Sequence, residues 1–284
     1  MTSANRLDRL RTRRRKFVKR NGKRLFRRID RWLAGQSRIP DDAVLDARHF
    51  PWIDEFVGQW RVIRAELDAL LRHRDELPRF QDISPDQRKI SPDDLWRTFV
   101  FSGFGHRSEQ ARVLCPETAR LLDGVPRLES AFFSILAPGK QVPSHRGVTK
   151  GMVRCHLGLK IPREPERCTM LVGGVRCVWR EGEVIFFDDT YPHEVHNDTD
   201  EERAVLLFDF ERPMRLRGRL VARLLMVLLR RTAYFKDALR QQSAWEKHYR
   251  EKVLEARGAG AAQPGPGATR PPPPASSAGT PPPR

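Results

Sequence analysis

Between Ala131 and Phe210 the chain is cut into seven short apolar runs, and this segmentation restricts the fold more than any other feature of the sequence. AFFSIL (131–136), VRCHLGL (153–159), TMLV (169–172), VRCVW (175–179), EVIFF (183–187), HEVHN (193–197) and RAVLLFDF (203–210) are separated by clusters of Gly, Pro and Asp. Runs of this length with β-branched and aromatic side chains read as strands. Gly173-Gly174 predicts a hairpin turn between two of them. Several short strands at close spacing predict an antiparallel sandwich or a double-sheet barrel.

The flanks carry the helical period instead. From Phe50 to Leu77, Ile53, Phe56, Trp60, Ile63 and Leu67 recur at threes and fours, which predicts a helical stretch packed on the core. Residues 84–97, with Pro85 and Pro92, read as a surface connection, and Cys115-Pro116 opens a short helix to Leu122. Residues 1–38 read as a basic helical arm, with Leu25, Ile29, Trp32 and Leu33 on one face among Arg24, Arg27, Arg28 and Arg31. Residues 39–213 form the central domain. Residues 214–256 return to basic amphipathic helix, with Leu220, Leu224, Leu225, Leu228 and Leu229 on one face, and the Pro/Gly/Ala-rich stretch 257–284 has the composition of a disordered tail.

The net charge of +17 suggests nucleic acid until it is divided along the chain. Residues 1–38 hold 15 Lys/Arg against two acids, residues 212–256 hold 12 against four, and residues 39–211 are net acidic. Basic ends on an acidic middle are not a basic binding groove, so nucleic acid is not the expected partner. The interleaved apolar residues point instead to peripheral contact with an anionic membrane, set against the plainer reading that these leucines pack on the barrel and the arginines are solvated. No apolar run is long enough to span a bilayer. The basic start lacks the apolar core of a signal peptide, and the four cysteines form no CxxC pair, so the expected location is cytoplasmic, at or near the inner face of the membrane.

Four of the eight histidines, His145, His156, His193 and His196, lie in the strand-rich segment. A lone histidine on a strand is more often a satisfied polar residue than a ligand. His145 and His193, however, each follow a turn at the end of a separate strand-like run, where two imidazoles can converge on a metal. Arg203 opens an apolar strand ten residues after His193, and a buried arginine is costly without an anion to pair. Together these residues read as a metal with a carboxylate-bearing cofactor beside it.

Five ordered blocks carry a resemblance: His145-Arg-Gly; Arg154-Cys-His156-Leu-Gly-Leu; Trp179-Arg-Glu-Gly182; Phe187-Asp-Asp-Thr-Tyr-Pro-His193-Glu-Val; and Arg203 on the strand that runs through Asp209 to Arg212-Pro213. Over residues 95–212 the sequence resembles the aspartyl/asparaginyl β-hydroxylase family of iron(II)- and 2-oxoglutarate-dependent dioxygenases. The resemblance implies an α+β chain with a mainly β core, a double-stranded β-helix (jelly-roll, cupin-like) barrel with flanking helices. It implies iron(II) held by His145 and His193, 2-oxoglutarate as co-substrate with O2, and Arg203 on the distal carboxylate with Ser134 as a nearby donor. Arg154 and His156 would orient the cofactor, and Asp189 would hold the second nitrogen of a ligand histidine. Trp179 and Gly182 are assigned to packing and a turn.

Two departures qualify this reading. The usual facial triad has a carboxylate where this chain has Gly147, so the position is expected to be filled by water, or by a halide if the chemistry were halogenation. Animal members carry an arginine at the position of Met152, so a substrate acid would need another partner, Lys150 or Arg146. The family default is hydroxylation at the β-carbon of aspartyl or asparaginyl residues in a peptide. Alternatives are a membrane lipid such as a lipid A-like acyl chain, a free amino acid, or a non-catalytic ligand-binding barrel.

Overall fold

A computed structural model of the protein describes residues 25–84, 90–103, 105–232 and 240–247. Most of the basic arm, the end of the C-terminal basic segment and the proline-rich tail lie outside the described residues. Among the described residues two antiparallel sheets face each other. The larger has seven strands in the order β1-β9-β6-β11-β4-β2-β3: β1 (Val44–Leu45), β2 (Trp96–Gly103), β3 (His106–Arg107), β4 (Leu128–Leu136), β6 (Met152–Lys160), β9 (Val184–Phe187) and β11 (Arg203–Glu211). The smaller has the order β5-β10-β7-β8: β5 (Gln141–His145), β7 (Cys168–Val172), β8 (Val175–Val178) and β10 (His193–Asn197). The chain crosses from sheet to sheet as a double-stranded β-helix does. All seven runs read from the sequence are strands, and Gly173-Gly174 turns between β7 and β8 with both φ angles positive, at 56° and 87°.

The larger sheet is covered on both faces, which is why β11 is buried at every position but its last. Its alternation sorts the residues. Val205 and Leu207 face the smaller sheet in a core with Val142, Met170, Val172, Trp179 and Val195. Phe208 and Phe210 face the other way and meet Trp52, Phe56 and Phe50 from the helical flank. Helices among the described residues are numbered in chain order, α1 (residues 25–34), α2 (Asp54–Gly58), α3 (Trp60–Leu71), α4 (Phe80–Ile83), α5 (Glu109–Leu114), α6 (Pro116–Gly124) and α7 (Leu216–Arg230). Of these, α2 and α3 form that flank and bury Phe56, Ile63 and Leu67 as the period predicts. The predicted helix at Cys115–Leu122 is found at Pro116–Gly124.

One expectation fails, and so does the alternative that packs Leu220, Leu224 and Leu228 on the barrel. The supposed surface connection at 84–97 runs into β2, whose Trp96 is buried and stacks on Phe80 at 4.0 Å between ring centroids. The C-terminal helix, which spans Leu216–Arg230, buries Ala222, Leu225 and Met226, whereas Leu220, Leu224 and Leu228 face solvent. The leucine spacing defined a face but not which side of the helix the barrel covers.

Candidate active site

The alternation of the larger sheet assembles one half of the site. Register pairs Asp209 with Ser130 and Arg154, Leu207 with Phe132 and His156, Val205 with Ser134, and Arg203 with Leu136. Residues directly opposite in a ladder share a face. Ser134, Arg154, His156, Arg203 and Asp209 therefore all project between the two sheets.

The smaller sheet supplies the other half. His145 and His193 are direct register partners on β5 and β10, with ring centroids 4.1 Å apart. Each Nδ1 lies against a carbonyl two residues earlier in the chain, Pro143 at 2.9 Å and Tyr191 at 3.0 Å. A carbonyl only accepts, so each Nδ1 carries the proton and each Nε2 keeps its lone pair. Burial pushes the His145 pKa down, and it pushes His193 down to about 3 with help from neighbouring His145 and Arg154. Two neutral imidazoles with a fixed tautomer are what a divalent metal requires of its ligands. Among the described residues no third His, Cys, Asp or Glu joins them in a metal-sized cluster.

The place beside Gly147 is filled. A Cβ built on Gly147 would fall 2.0 Å from Oδ2 and 2.2 Å from Oδ1 of Asp189, whose backbone carbonyl accepts from Gly147 N at 2.7 Å. The glycine is there because a side chain would displace the Asp189 carboxylate. A carboxylate from the loop before β10 thus takes the space of a Gly147 side chain, without joining the two histidines in a metal-sized cluster among the described residues. The expected role of Asp189 also changes, since backbone carbonyls already hold the second nitrogens of both histidines. Asp189 is buried and makes a 3.3 Å ion pair with Arg154, but its Oδ1 lacks a hydrogen-bond donor. Desolvation raises its pKa to about 7 despite that arginine.

Arg154 is fixed as well, donating from Nε and Nη2 to the two oxygens of Asp209 at 2.7 and 3.0 Å, while Ser130 Oγ donates to the same carboxylate at 2.7 Å. Arg203 is different. It is fully buried, donates from Nη1 to Ser134 O and Oγ over long distances of 3.3 and 3.4 Å, and lies 4.2 Å above the Trp179 ring. Among the described residues its Nε has no hydrogen-bond partner, and both ring nitrogens of buried His156 lack one too. Desolvation lowers the Arg203 pKa to about 10, and holds His156 neutral. Ser134 Oγ accepts from Trp96 Nε1 at 3.1 Å, so its own proton is available to a ligand. A buried guanidinium with no anion, an unbonded imidazole and a free hydroxyl make a pocket that fits a carboxylate.

The structure therefore brings together all seven residues singled out in the sequence, and three more that carried no role there. Trp179, assigned to packing, forms the floor under Arg203. Asp209 fixes Arg154, and Trp96 orients Ser134. Only the strand register could have found the latter two. Lys150, proposed as a partner for a substrate acid, is spent on Asp188 at 3.0 Å and on Asp41. A cavity of about 190 Å3 opens beside His145, Gly147, Arg154 and Asp189.

A profile of the family described as aspartyl/asparaginyl beta-hydroxylase matches residues 58–213, more than half of the chain, including the histidine pair, Ser134, Arg154, His156, Asp189 and Arg203. The chain belongs to that family. Within the aspartyl/asparaginyl β-hydroxylase family it is 41% identical over 213 residues to an ornithine lipid ester-linked acyl 2-hydroxylase of Rhizobium tropici, covering 75% of this chain and 76% of that protein. It is 31% identical over 159 residues to the human aspartyl/asparaginyl beta-hydroxylase, covering 54% of this chain but only 20% of that one. Among solved structures, a Pseudomonas putida prolyl-4-hydroxylase superimposes on 55% of this chain and 88% of its own with a TM-score of 0.35 and 20% identity, too loosely to bear on the chemistry. Membership makes the protein a hydroxylase.

Proposed function

We propose that this hydroxylase uses iron(II) and 2-oxoglutarate to insert one oxygen atom into a C–H bond of a membrane-lipid acyl chain. His145 and His193 would hold the metal, and Arg203 with Ser134 the distal carboxylate of the co-substrate. Iron and 2-oxoglutarate, if bound there with O2, would supply an oxidant strong enough for an unactivated C–H bond. The chain's own contribution is to fix the imidazole tautomers, to hold Arg154 in place through Asp209, and to exclude water with an apolar wall.

One observation carries the substrate class. The cavity beside His145 has an apolar wall of Phe80, Ile83, Ile90, Trp96, Val100, Phe132, Met152, Leu207 and Met226, with Thr98, Ser102, Glu129, Ser130, Asp209 and Gln242 among its polar lining. Of the arginines on its lining, Arg154 is committed to Asp209 and Asp189, and Arg146 donates to Thr190 O at 2.9 Å. Such a surface suits a hydrocarbon chain better than an acidic side chain. The Rhizobium relative, whose name describes an acyl 2-hydroxylase, supports the same reading.

The test offers the anaerobically reconstituted enzyme three substrates in parallel after O2 is admitted: an ester-linked acyl amino-acid lipid, aspartyl and asparaginyl peptides, and free amino acids. Mass spectrometry should find one added oxygen in the acyl fragment of the lipid. Hydroxylated peptide with unaltered lipid would return the assignment to the family default.

A further inference from the structure

The C-terminal helix, α7 (Leu216–Arg230), turns its leucines outward. Leu216, Leu220, Leu224 and Leu228 repeat every fourth residue, and each is more than half exposed, at 58%, 57%, 60% and 53%. Val227 adds to the same stripe at 43%. The opposite side of α7 is spent on the protein: Ala222 and Leu225 pack on Leu33, and Met226 forms part of the cavity wall. A continuous apolar stripe is unusual on a chain that meets only water.

The charges on this surface are of one sign. Arg215, Arg217, Arg219 and Arg231 are exposed along α7, and none of the described acids pairs with them. The acids that do approach α7 are already used, Glu211 by Arg223 at 2.8 Å and Glu129 by Arg230. The helix at 25–34 that packs on α7 repeats the pattern, with Leu25 60% and Trp32 43% exposed beside exposed Arg27, Arg28 and Arg31. Leucine and tryptophan with flanking arginines suit the boundary between acyl chains and anionic headgroups, where arginine stems lie along hydrocarbon and guanidinium groups meet phosphate. A nucleic acid would match the arginines but leave the leucines in water.

We infer that the outer face of α7 docks the enzyme on an anionic lipid bilayer, with Leu216, Leu220, Leu224 and Leu228 inserted and Arg217, Arg219 and Arg231 on headgroup phosphates. This builds on the lipid reading of the cavity, because one helix would then face the bilayer with one side and line the cavity with the other. A Cβ on Gly151, in the turn just before β6, would fall 3.1 Å from Ala222, so α7 sits tightly on the turn that leads into the strand carrying Arg154 and His156.

Co-sedimentation of the full-length protein with vesicles tests this without turnover. Wild type should pellet with phosphatidylcholine–phosphatidylglycerol vesicles and much less with phosphatidylcholine alone, and binding should weaken as salt rises. Leu220→Ser/Leu224→Ser/Leu228→Ser and Arg217→Glu/Arg219→Glu/Arg231→Glu should each bind at least about tenfold more weakly with unchanged circular dichroism, since all these side chains are exposed. Wild type that stays in the supernatant overturns the inference. So do variants that pellet as wild type does, which would place the contact in the basic residues before Leu25, and a dimer that the serine variant dissolves without any vesicle binding. Vesicle binding without lipid hydroxylation keeps the docking face and removes the substrate reading. Hydroxylation of detergent-dispersed lipid without vesicle binding does the reverse.

Discussion

Replacing Arg203 with methionine should leave the empty protein as stable as before while disabling the co-substrate site. Desolvation holds the buried guanidinium at a pKa of about 10, well below its ordinary value. At about 1.4 kcal/mol for each pKa unit, the isolated charge costs the folded protein roughly 3 kcal/mol. Methionine removes that cost and keeps most of the volume. Against this stand the stacking on Trp179, worth about 1–2 kcal/mol, and two long hydrogen bonds to Ser134. The terms nearly cancel, so the unfolding midpoint of Arg203→Met without ligand should stay within a few degrees of wild type, at about 2–4 °C per kcal/mol. The cost falls on 2-oxoglutarate, because losing one partner of a buried charge pair removes about 2–5 kcal/mol of binding. That is about thirtyfold to several thousandfold in Kd. Arg203→Lys should recover little, having charge without the planar fork. Calorimetric titration of the Mn(II)-loaded protein with 2-oxoglutarate, beside thermal unfolding of the metal-free form, measures both sides. The reasoning fails if Arg203→Met binds 2-oxoglutarate as wild type does, or if its metal-free form unfolds more than about 10 °C lower, which would make Arg203 a structural group.

Three further outcomes follow from the same geometry. His145→Ala and His193→Ala should each abolish stoichiometric Fe(II) binding in an anaerobic titration, whereas His196→Ala and His49→Ala should bind as wild type does. Gly147→Ala should lower stability by about 1–3 kcal/mol, because its Cβ meets the Asp189 carboxylate, and Gly147→Ala/Asp189→Gly should recover much of that loss in denaturant unfolding; additive losses would show that the two positions do not share one space. Asp189 is raised to about 7, so the folded protein keeps a proton that the unfolded chain releases from its ordinary value of 3.8 upward. The stability this group contributes is present at low pH and is lost as pH rises toward 7. Unfolding free energies of wild type and Asp189→Asn, both metal-free, should therefore diverge in favour of the variant between about pH 4 and pH 7, and a constant difference would refute the shift.

Short runs and turn glycines determined the strands by themselves, because a strand's period and the demand for positive φ at Gly173 and Gly174 are local properties. The spacing of His145, Arg154, His193 and Arg203 likewise carried the family, since each side chain is placed by its own strand end. Register was not local. Which residues oppose one another across β4, β11 and β6 depends on segments dozens of positions apart, so Asp209 as the anchor of Arg154, Trp179 under Arg203 and Trp96 behind Ser134 emerged only with the fold. The place beside Gly147 shows the limit most plainly: the sequence showed a glycine where the usual triad has a carboxylate, and only the structure shows Asp189, 42 residues further along, packed against that glycine. The leucines of α7 follow the same logic. Periodicity determined that they share a face, but burial is a property of the neighbours, and only the packing of Ala222, Leu225 and Met226 on the protein left Leu220, Leu224 and Leu228 facing outward.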